Sequence, residues 1–245
     1  MKRVDRVAHP ISANAHEALA ERTEAIREAK DRRAEAAKLW NSKPSVVFQE
    51  IREQLQRMAG GRSRCMYCED SLGTDIEHFY PRTSYPRRTF EWSNYLLACS
   101  HCNSNLKRDE FPLDKRRPAL IDPSKDDPRK HLMFLPESGA FDPIGPKGDP
   151  SIRVFGLNDR SPPRKLPQAR KAVLQKLKSF ILDYDEALRA GNQGRADEIR
   201  EWILDEPFPV VAAWIMAIAT SPAGDLVLGS EVSGVINHRG IAAWF

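Results

Sequence analysis

The chain has 245 residues, of which 41% are hydrophobic and 29% are charged, and its formal net charge is +4. This balance is typical of a globular protein, and the modest positive charge permits a polyanionic partner without requiring one. The longest apolar stretch, residues 208–219, is shorter than the roughly 20 residues needed to cross a bilayer. The opening MKRVDR is not followed by the apolar segment of a signal peptide. We therefore expect a cytoplasmic protein without a membrane partner.

The N-terminal region, residues 1–61, is predicted to be helical. Residues 13–40 are rich in Ala, Glu, Arg and Lys, which favours one long helix, and Ser12 could cap its start. A second helix is expected to begin at Pro44 and to end at Gly60 and Gly61. Its apolar residues recur at helical spacing and predict one buried face, made of Val47, Phe48, Ile51, Leu55 and Met58.

All four cysteines of the chain lie between residues 65 and 102, in the pattern C-x2-C-x30-C-x2-C. Each C-x2-C pair can direct two thiolates at one tetrahedral ion, and two pairs complete a closed four-thiolate site. Cytosolic thiols stay reduced, so paired motifs of this kind indicate a metal rather than disulfides. The alternative is four ordinary buried thiols. We predict a module of residues 62–110 in which a structural zinc ion is bound by Cys65, Cys68, Cys99 and Cys102.

The remainder of the chain divides into a connecting region and a helical region. Residues 111–165 are rich in Pro, Asp and Gly, which predicts loops, with short strands near HLMFL and SIRVFGL. Residues 166–245 are predicted to contain a helix from Leu166, a second over RADEIREWILDE and a third, strongly apolar one over PFPVVAAWIMAIAT. The tail from about residue 221 is interpreted as an edge-pairing or docking strand. No phosphate-binding GxxxxGK[ST] loop is present, so we do not expect ATP hydrolysis by this chain.

The separation between the two cysteine pairs is unusually long. A simple zinc ribbon has about 15–20 residues there, whereas this chain has 30, and the extra length carries Glu77, His78 and Asn94. A zinc ion that clamps both ends of this insertion would fix a second, chemically different site between them. We therefore predict that the cysteines provide the frame and that the histidine and asparagines carry the chemistry.

These residues resemble an HNH nuclease, a branch of the ββα-metal fold. The usual pattern is an acid–His pair on the first strand, an Asn in the loop, and a helix that bears the last metal ligand. In this chain the pattern is Glu77-His78, then Asn94, then Asn103 within CNSNLK. Asn therefore replaces the usual final His, a variant seen within the family. The resemblance covers about 45 residues and implies an α+β protein with a small zinc-stapled ββα core between N- and C-terminal helices.

The resemblance implies hydrolysis of phosphodiester bonds, which needs a base for the attacking water and positive charge near the leaving oxygen. His78 is expected to be the base, and Asn94 to orient it by a hydrogen bond. Glu77 and Asn103 offer hard oxygen ligands, which suit Mg²⁺ or Mn²⁺ as a catalytic ion. Adjacent strand residues face opposite sides, so Glu77 and His78 share a site only if the strand ends or twists there. Predicted contacts with nucleic-acid phosphates are made by Lys107, Arg82, Arg87 and Arg88.

Each of these assignments has a simpler alternative. His78 could be a hydrogen-bonded structural histidine, and Asn94 could only shape a turn. His101, inside CSHC, could face solvent or substitute as a zinc ligand; four cysteines already fill the site, which favours solvent. Trp92 is interpreted as a core residue rather than a base-stacking platform, and Arg116 and Arg117 as part of a solvated surface.

The segments LIDPSKDDPRKHLMFLPESGAF and VFGLNDR…LPQARK resemble the downstream pattern of the HNH subunit of Septu-type and retron-associated antiphage systems. In that group the nuclease works with an ABC/SMC-like ATPase, so the resemblance implies an ATPase partner, which we expect to bind the C-terminal helices. The predicted function is metal-dependent cleavage of nucleic acid, with DNA favoured over RNA, in prokaryotic defence. Two other classes stay open: a non-catalytic zinc-stabilised nucleic-acid-binding module, and an interaction subunit of an ATPase complex.

Overall fold

The computed structural model describes residues 1–244 and divides the chain into two compact units. The N-terminal unit comprises Lys2–Leu132 and Pro143–Gly156. The C-terminal unit comprises Met1, Met133–Asp142 and the described residues from Leu157 onward. Helices and short two-stranded sheets occur together, which confirms the α+β class. These units group the chain differently from the four regions expected from the sequence.

Three helices open the N-terminal unit. Helix α1 is Ala13–Glu28, and the Ser12 hydroxyl accepts a hydrogen bond from the Ala15 amide, as a cap does. The prediction of one helix over residues 13–40 is wrong, because the chain turns extended at Ala29 and Asp31 caps a separate helix α2, Arg32–Asn41. Helix α3 is Ser45–Ala59, and it buries the five apolar residues predicted for its face.

The cysteine region forms a hairpin followed by a short helix. Strand β1, Asp75–His78, pairs antiparallel with β2, Tyr95–Ala98, and His78 lies opposite Tyr95. A π-helix, His101–Lys107, follows β2. The insertion between the cysteine pairs therefore consists of β1, a long loop containing two short 3₁₀ turns, and β2.

The rest of the N-terminal unit is mostly irregular. Strands β3, Leu113–Asp114, and β4, Arg117–Pro118, form a minimal hairpin. The strand predicted near SIRVFGL is wrong, because Gly148–Val154 forms helix α4. Ser151 and Val154 are buried at helical spacing there, and the Ser151 hydroxyl accepts a hydrogen bond from the Ile121 amide.

The C-terminal unit is a helical assembly next to a hairpin of β5, Leu132–Leu135, and β6, Ala140–Pro143. The strand expected near HLMFL is therefore confirmed. Helices α5, Leu166–Arg189, α6, Gln193–Asp205, and α7, Pro209–Ala219, follow. The tail also forms helices, α8 Gly224–Leu228 and α9 Ser230–Arg239, and then a 3₁₀ turn over Ile241–Trp244. The prediction of a docking strand is wrong, because Val232 and Ile236 are buried at helical spacing.

Helix α7 is the most apolar helix of this unit, and it packs against α5, α8 and α9. This position explains why it is apolar on nearly all sides. Among the helices of residues 1–244, none alone is both long and apolar enough to cross a bilayer. Helices α6 and α7 satisfy those two conditions only as a pair, and the chain bends by 113° between them.

Candidate zinc site and histidine centre

The four cysteines converge on one point in the N-terminal unit. All four are buried, and their sulfur atoms lie within 4.8 Å of one another. The sulfurs of Cys68 and Cys99 are 3.9 Å apart. Tetrahedral zinc with bonds of about 2.3 Å places its sulfur ligands about 3.8 Å apart. The cluster therefore has the donors and the size to bind a zinc ion, as the spacing predicted.

Backbone hydrogen bonds shape the two cysteine turns around this point. In the first turn the Cys65 amide donates to the Ser71 carbonyl and the Glu69 amide to the Cys65 carbonyl, each at 2.9 Å. In the second, the Cys102 amide donates to the Cys99 sulfur at 3.4 Å. Burial raises the pKa of the Cys65 thiol, whereas hydrogen bonds from Cys102 and Cys65 lower the pKa of Cys68 to about 6.

Glu77 faces the π-helix and forms a buried ion pair with it. Its Oε1 lies 2.7 Å from the Lys107 ammonium, and the exposed fractions of the Lys107 and Glu77 side chains are 0% and 4%. Lys107 also donates to the His78 carbonyl at 2.9 Å, and the Tyr67 hydroxyl donates to Glu77 at 3.4 Å. Burial raises the pKa of Glu77, against the opposing effect of Lys107. The Lys107 ammonium, predicted to contact a substrate phosphate, is enclosed in this structure and binds groups of the protein.

Asn103 has a different partner from Glu77. Its Nδ2 donates to the Asp75 carboxylate at 3.0 Å, near the start of β1. Asp75 and Glu77 are two residues apart on one strand, so they share its face. The structure therefore lines this face with carboxylates against the π-helix, but each of the two predicted ion ligands is held by a protein partner.

His78 ends β1 and is buried in an aromatic pocket. Its ring lies 4.4 Å from the Trp40 ring and 5.2 Å from the Tyr95 ring, both edge-on. Its Nε2 is 2.9 Å from the Thr89 carbonyl, which can only accept, so Nε2 carries the proton and Nδ1 is the basic nitrogen. Burial, assisted by Arg82, Lys107 and Lys43, lowers the pKa of His78 to about 3 although the Thr89 carbonyl opposes it. The imidazole is therefore neutral at pH 7.

Asn94 holds the loop between the two strands. Its Oδ1 accepts from the Tyr80 amide at 2.7 Å, and its Nδ2 donates to the carbonyls of Tyr80 and Arg88 at 3.1 and 2.9 Å. The expected hydrogen bond from Asn94 to His78 is thus replaced by an indirect link. Asn94 fixes the backbone at Arg88, and the next carbonyl, of Thr89, binds the histidine.

The three predicted nucleic-acid contacts from the loop are placed differently. Arg87 is exposed, whereas Arg88 lies over the Tyr80 ring at 3.9 Å and 3.8 Å from a Glu91 oxygen. Arg82 is half-buried, with its guanidinium 5.1 Å from the centre of the Trp40 ring. Arg82 is therefore the loop arginine with a direct link to the histidine pocket.

Several residues of this site were not found from the sequence. Asp75 could have been found, because it lies two residues before Glu77 on a predicted strand. Trp40, Tyr67 and the Thr89 carbonyl had no such signal, because only the tertiary fold brings them to β1. Trp92 packs edge-on against Tyr95, under the Arg6 guanidinium, and is half-buried rather than part of the buried core.

The fold and site define an α+β protein with a buried four-cysteine cluster suited to zinc and a neutral histidine at the end of the clamped hairpin. The chain is similar to the Septu protein PtuB of Bacillus mycoides (strain KBAB4), with 28% identity over 167 residues, which is 55% of each chain. It is also similar to the Septu protein PtuB of Bacillus thuringiensis, with 31% identity over 78 residues, covering 30% of this chain and 29% of that protein.

These matches support the Septu-type resemblance inferred from the sequence. The matched segments span about half of the first relative's length and less than a third of the second's. No family model matches the chain, and no solved structure matches it.

Proposed function

We propose that this chain is an HNH-type endonuclease that hydrolyses phosphodiester bonds of nucleic acid, with DNA favoured, as a component of a Septu-type antiphage defence system. The proposal rests mainly on the position and hydrogen bonding of His78. A buried imidazole whose Nε2 donates to a carbonyl has Nδ1 as the nitrogen without a proton, which is the tautomer that a general base needs. The similarity to two Septu proteins supports the defence setting.

In the proposed reaction Nδ1 of His78 takes a proton from the attacking water. The Thr89 carbonyl fixes the ring and its tautomer, and it also accepts a hydrogen bond from the Tyr95 hydroxyl at 2.8 Å. Asn94 is a positioning residue, because it holds the loop that carries this carbonyl. Arg82, beside the same pocket, supplies positive charge for the phosphate.

The divalent ion implied by the resemblance does not fit the arrangement described. Lys107 already supplies the positive charge next to Glu77, and Asn103 directs an N–H donor at Asp75. An ion would have to displace the ammonium from a fully buried pair. The proposed role of His78 therefore does not involve a metal ion bound by Glu77 and Asn103. Whether cleavage depends on Mg²⁺ or Mn²⁺ is decided by the assay below.

The proposal is tested by incubating the purified chain with supercoiled plasmid, single-stranded DNA and single-stranded RNA, in Mg²⁺, in Mn²⁺ and in EDTA. The expected result is cleavage by the wild type and none by His78→Gln, which conserves side-chain volume better than Ala. His238→Ala, a change of an exposed histidine in the C-terminal unit, is the matched control and should cleave normally. Equal cleavage by wild type and His78→Gln would remove the assignment.

A second candidate is a non-catalytic, zinc-stabilised nucleic-acid-binding module. The Glu77–Lys107 ion pair favours it, because an acidic residue neutralised by a buried lysine can be purely structural. In that case nucleic acid binds in the same assay but is not cleaved under any of the three conditions.

We also propose a protein partner, an ABC/SMC-like ATPase, for the C-terminal unit. Helix α7 packs against α5, α8 and α9 and buries five of its eleven residues, so its large apolar side chains are not the most exposed ones of the unit. Large apolar side chains are instead exposed at Trp202, Leu204, Leu226 and Val227. Co-purification with an ATPase expressed beside this chain, and its loss in Leu226→Asp, would support the partnership; retention in that variant would exclude a contact at Leu226.

A further inference from the structure

Two cations share one indole ring next to the proposed base. The Lys43 ammonium lies 4.7 Å from the centre of the Trp40 ring, and the Arg82 guanidinium lies 5.1 Å from it. The same ring packs edge-on against His78 at 4.4 Å. Trp40 and Lys43 belong to the end of α2 and the turn after it, whereas Arg82 comes from the loop after β1. The N-terminal helices and the hairpin thus build one basic surface around the histidine.

Lys43, Arg82 and the neighbouring Arg52 form no ion pair with an acidic side chain among residues 1–244. Lys43 donates only to the Trp40 carbonyl, at 3.3 Å, and Arg52 donates to the Thr74 carbonyl. Arg82 makes no ion pair within the described residues, although Asp109 acts on it from a distance. By contrast, ion pairs within the same unit hold Lys38, Arg88, Lys107, Lys125, Lys147 and Arg153.

The positive charges of Lys43, Arg82 and Arg52 repel one another. Burial is the main cause of the lowered pKa of Lys43, and the nearby charges of Arg82 and Arg52 lower this pKa further. All three side chains are half-buried rather than enclosed, so a ligand can still reach them. An anion bound between them would relieve the repulsion.

We infer that Lys43 and Arg82 form a binding site for backbone phosphates of nucleic acid, and that it places a phosphodiester beside His78. The inference rests on the proposed nuclease function and extends it to the N-terminal helices. Phosphate is favoured over a carboxylate partner because a nucleic-acid strand presents evenly spaced anions, each of which one Lys or Arg can neutralise. The aromatic ring holds both cations in position through cation–π contacts.

The test is fluorescence anisotropy with labelled 30-base-pair duplex DNA and the corresponding single strand, in the His78→Gln background so that the probe stays intact. Lys43→Gln should weaken binding and lower the slope of log affinity against log salt by about 0.9 for duplex or about 0.7 for single strand. Lys43→Arg should retain both values. Lys38→Gln is the matched control, because Lys38 is exposed, lies on α2 and is paired with Glu35, and it should leave both unchanged.

An unchanged affinity and slope in Lys43→Gln would overturn the inference, as would the absence of salt-dependent binding of either probe by the parent protein. Failure of the nuclease proposal is a different result. In that case His78→Gln cleaves as well as wild type while Lys43→Gln still loses binding.

Discussion

At the scale of single residues, the environment of His78 determines what it can do. A histidine on a solvated surface would be partly protonated near pH 6.5. Here burial removes water from the charged form, and two cations act in the same direction from the Trp40 ring. The group stays neutral across the physiological range, and its protonation at low pH should destabilise the fold.

The first prediction concerns that acid sensitivity. The folded pKa of His78, about 3, lies below the unfolded value of about 6.5, so the unfolded chain binds the additional proton. This residue's contribution to stability is complete above pH 6.5 and is lost as pH falls toward 3, by up to about 1.4 kcal/mol per pH unit. Urea unfolding between pH 7.5 and 4.5 should show a steeper loss for wild type than for His78→Gln. Parallel curves would contradict the burial of a neutral imidazole.

A second residue-scale prediction concerns Glu77 and Lys107. Replacing Lys107 with Met leaves a buried carboxylate without its cation, which should cost about 3–5 kcal/mol in the free energy of unfolding. The double variant Glu77→Gln/Lys107→Met should recover much of that loss. Lys38→Met removes an exposed pair with Glu35 and should change stability by less than about 1 kcal/mol. Equal effects of Lys107→Met and Lys38→Met would show that the inner pair does not form.

At the scale of elements, the hairpin and the cysteine turns act together. The Met66 amide in the first turn donates to the Leu97 carbonyl of β2 at 2.8 Å, so the zinc cluster and the strands share backbone contacts. The loop between the strands is folded by backbone turns of its own, and the Asn94 side chain adds three hydrogen bonds that join its two ends.

Removing one zinc ligand tests the clamp. Cys65→Ser should lose the ion and destabilise the N-terminal unit, because structural zinc contributes directly to the free energy of folding. Elemental analysis should give about one zinc per chain for wild type and much less for the variant. Freshly purified wild type with no zinc, or a Ser variant that retains it, would contradict the four-cysteine site.

Asn94→Ala tests the loop separately from the zinc cluster. It removes the partners of the half-buried Tyr80 amide and carbonyl, which costs about 1–3 kcal/mol for each group left unpaired, whereas the Arg88 carbonyl keeps its hydrogen bond from the Glu91 amide. Hydrogen exchange should increase over residues 80–92 while zinc content stays at the wild-type level. An unchanged exchange pattern would mean that the loop is held by other contacts.

At the scale of the whole molecule, the features that could be predicted from the sequence are those set by residue spacing along the chain. Cysteine spacing gave the zinc cluster, and helical periodicity gave α3 and the helix from Leu166. Patterns that depend on tertiary neighbours were missed. SIRVFGL could have been a strand or a helix, and Lys107, which looked like a surface cation, is enclosed because the π-helix packs against β1. The Trp40 contact with His78 joins residues far apart in sequence and left no local signal.

The molecule as a whole is proposed to place nucleic acid against His78, with the zinc cluster fixing the hairpin and the N-terminal helices adding positive charge. Single-turnover cleavage of labelled DNA by wild type and His78→Gln, at matched zinc content and the same salt, measures the contribution of that histidine. Loss of a general base should slow cleavage by about 10²–10⁴-fold. Equal rates for the two proteins would contradict the assignment of His78 as the base.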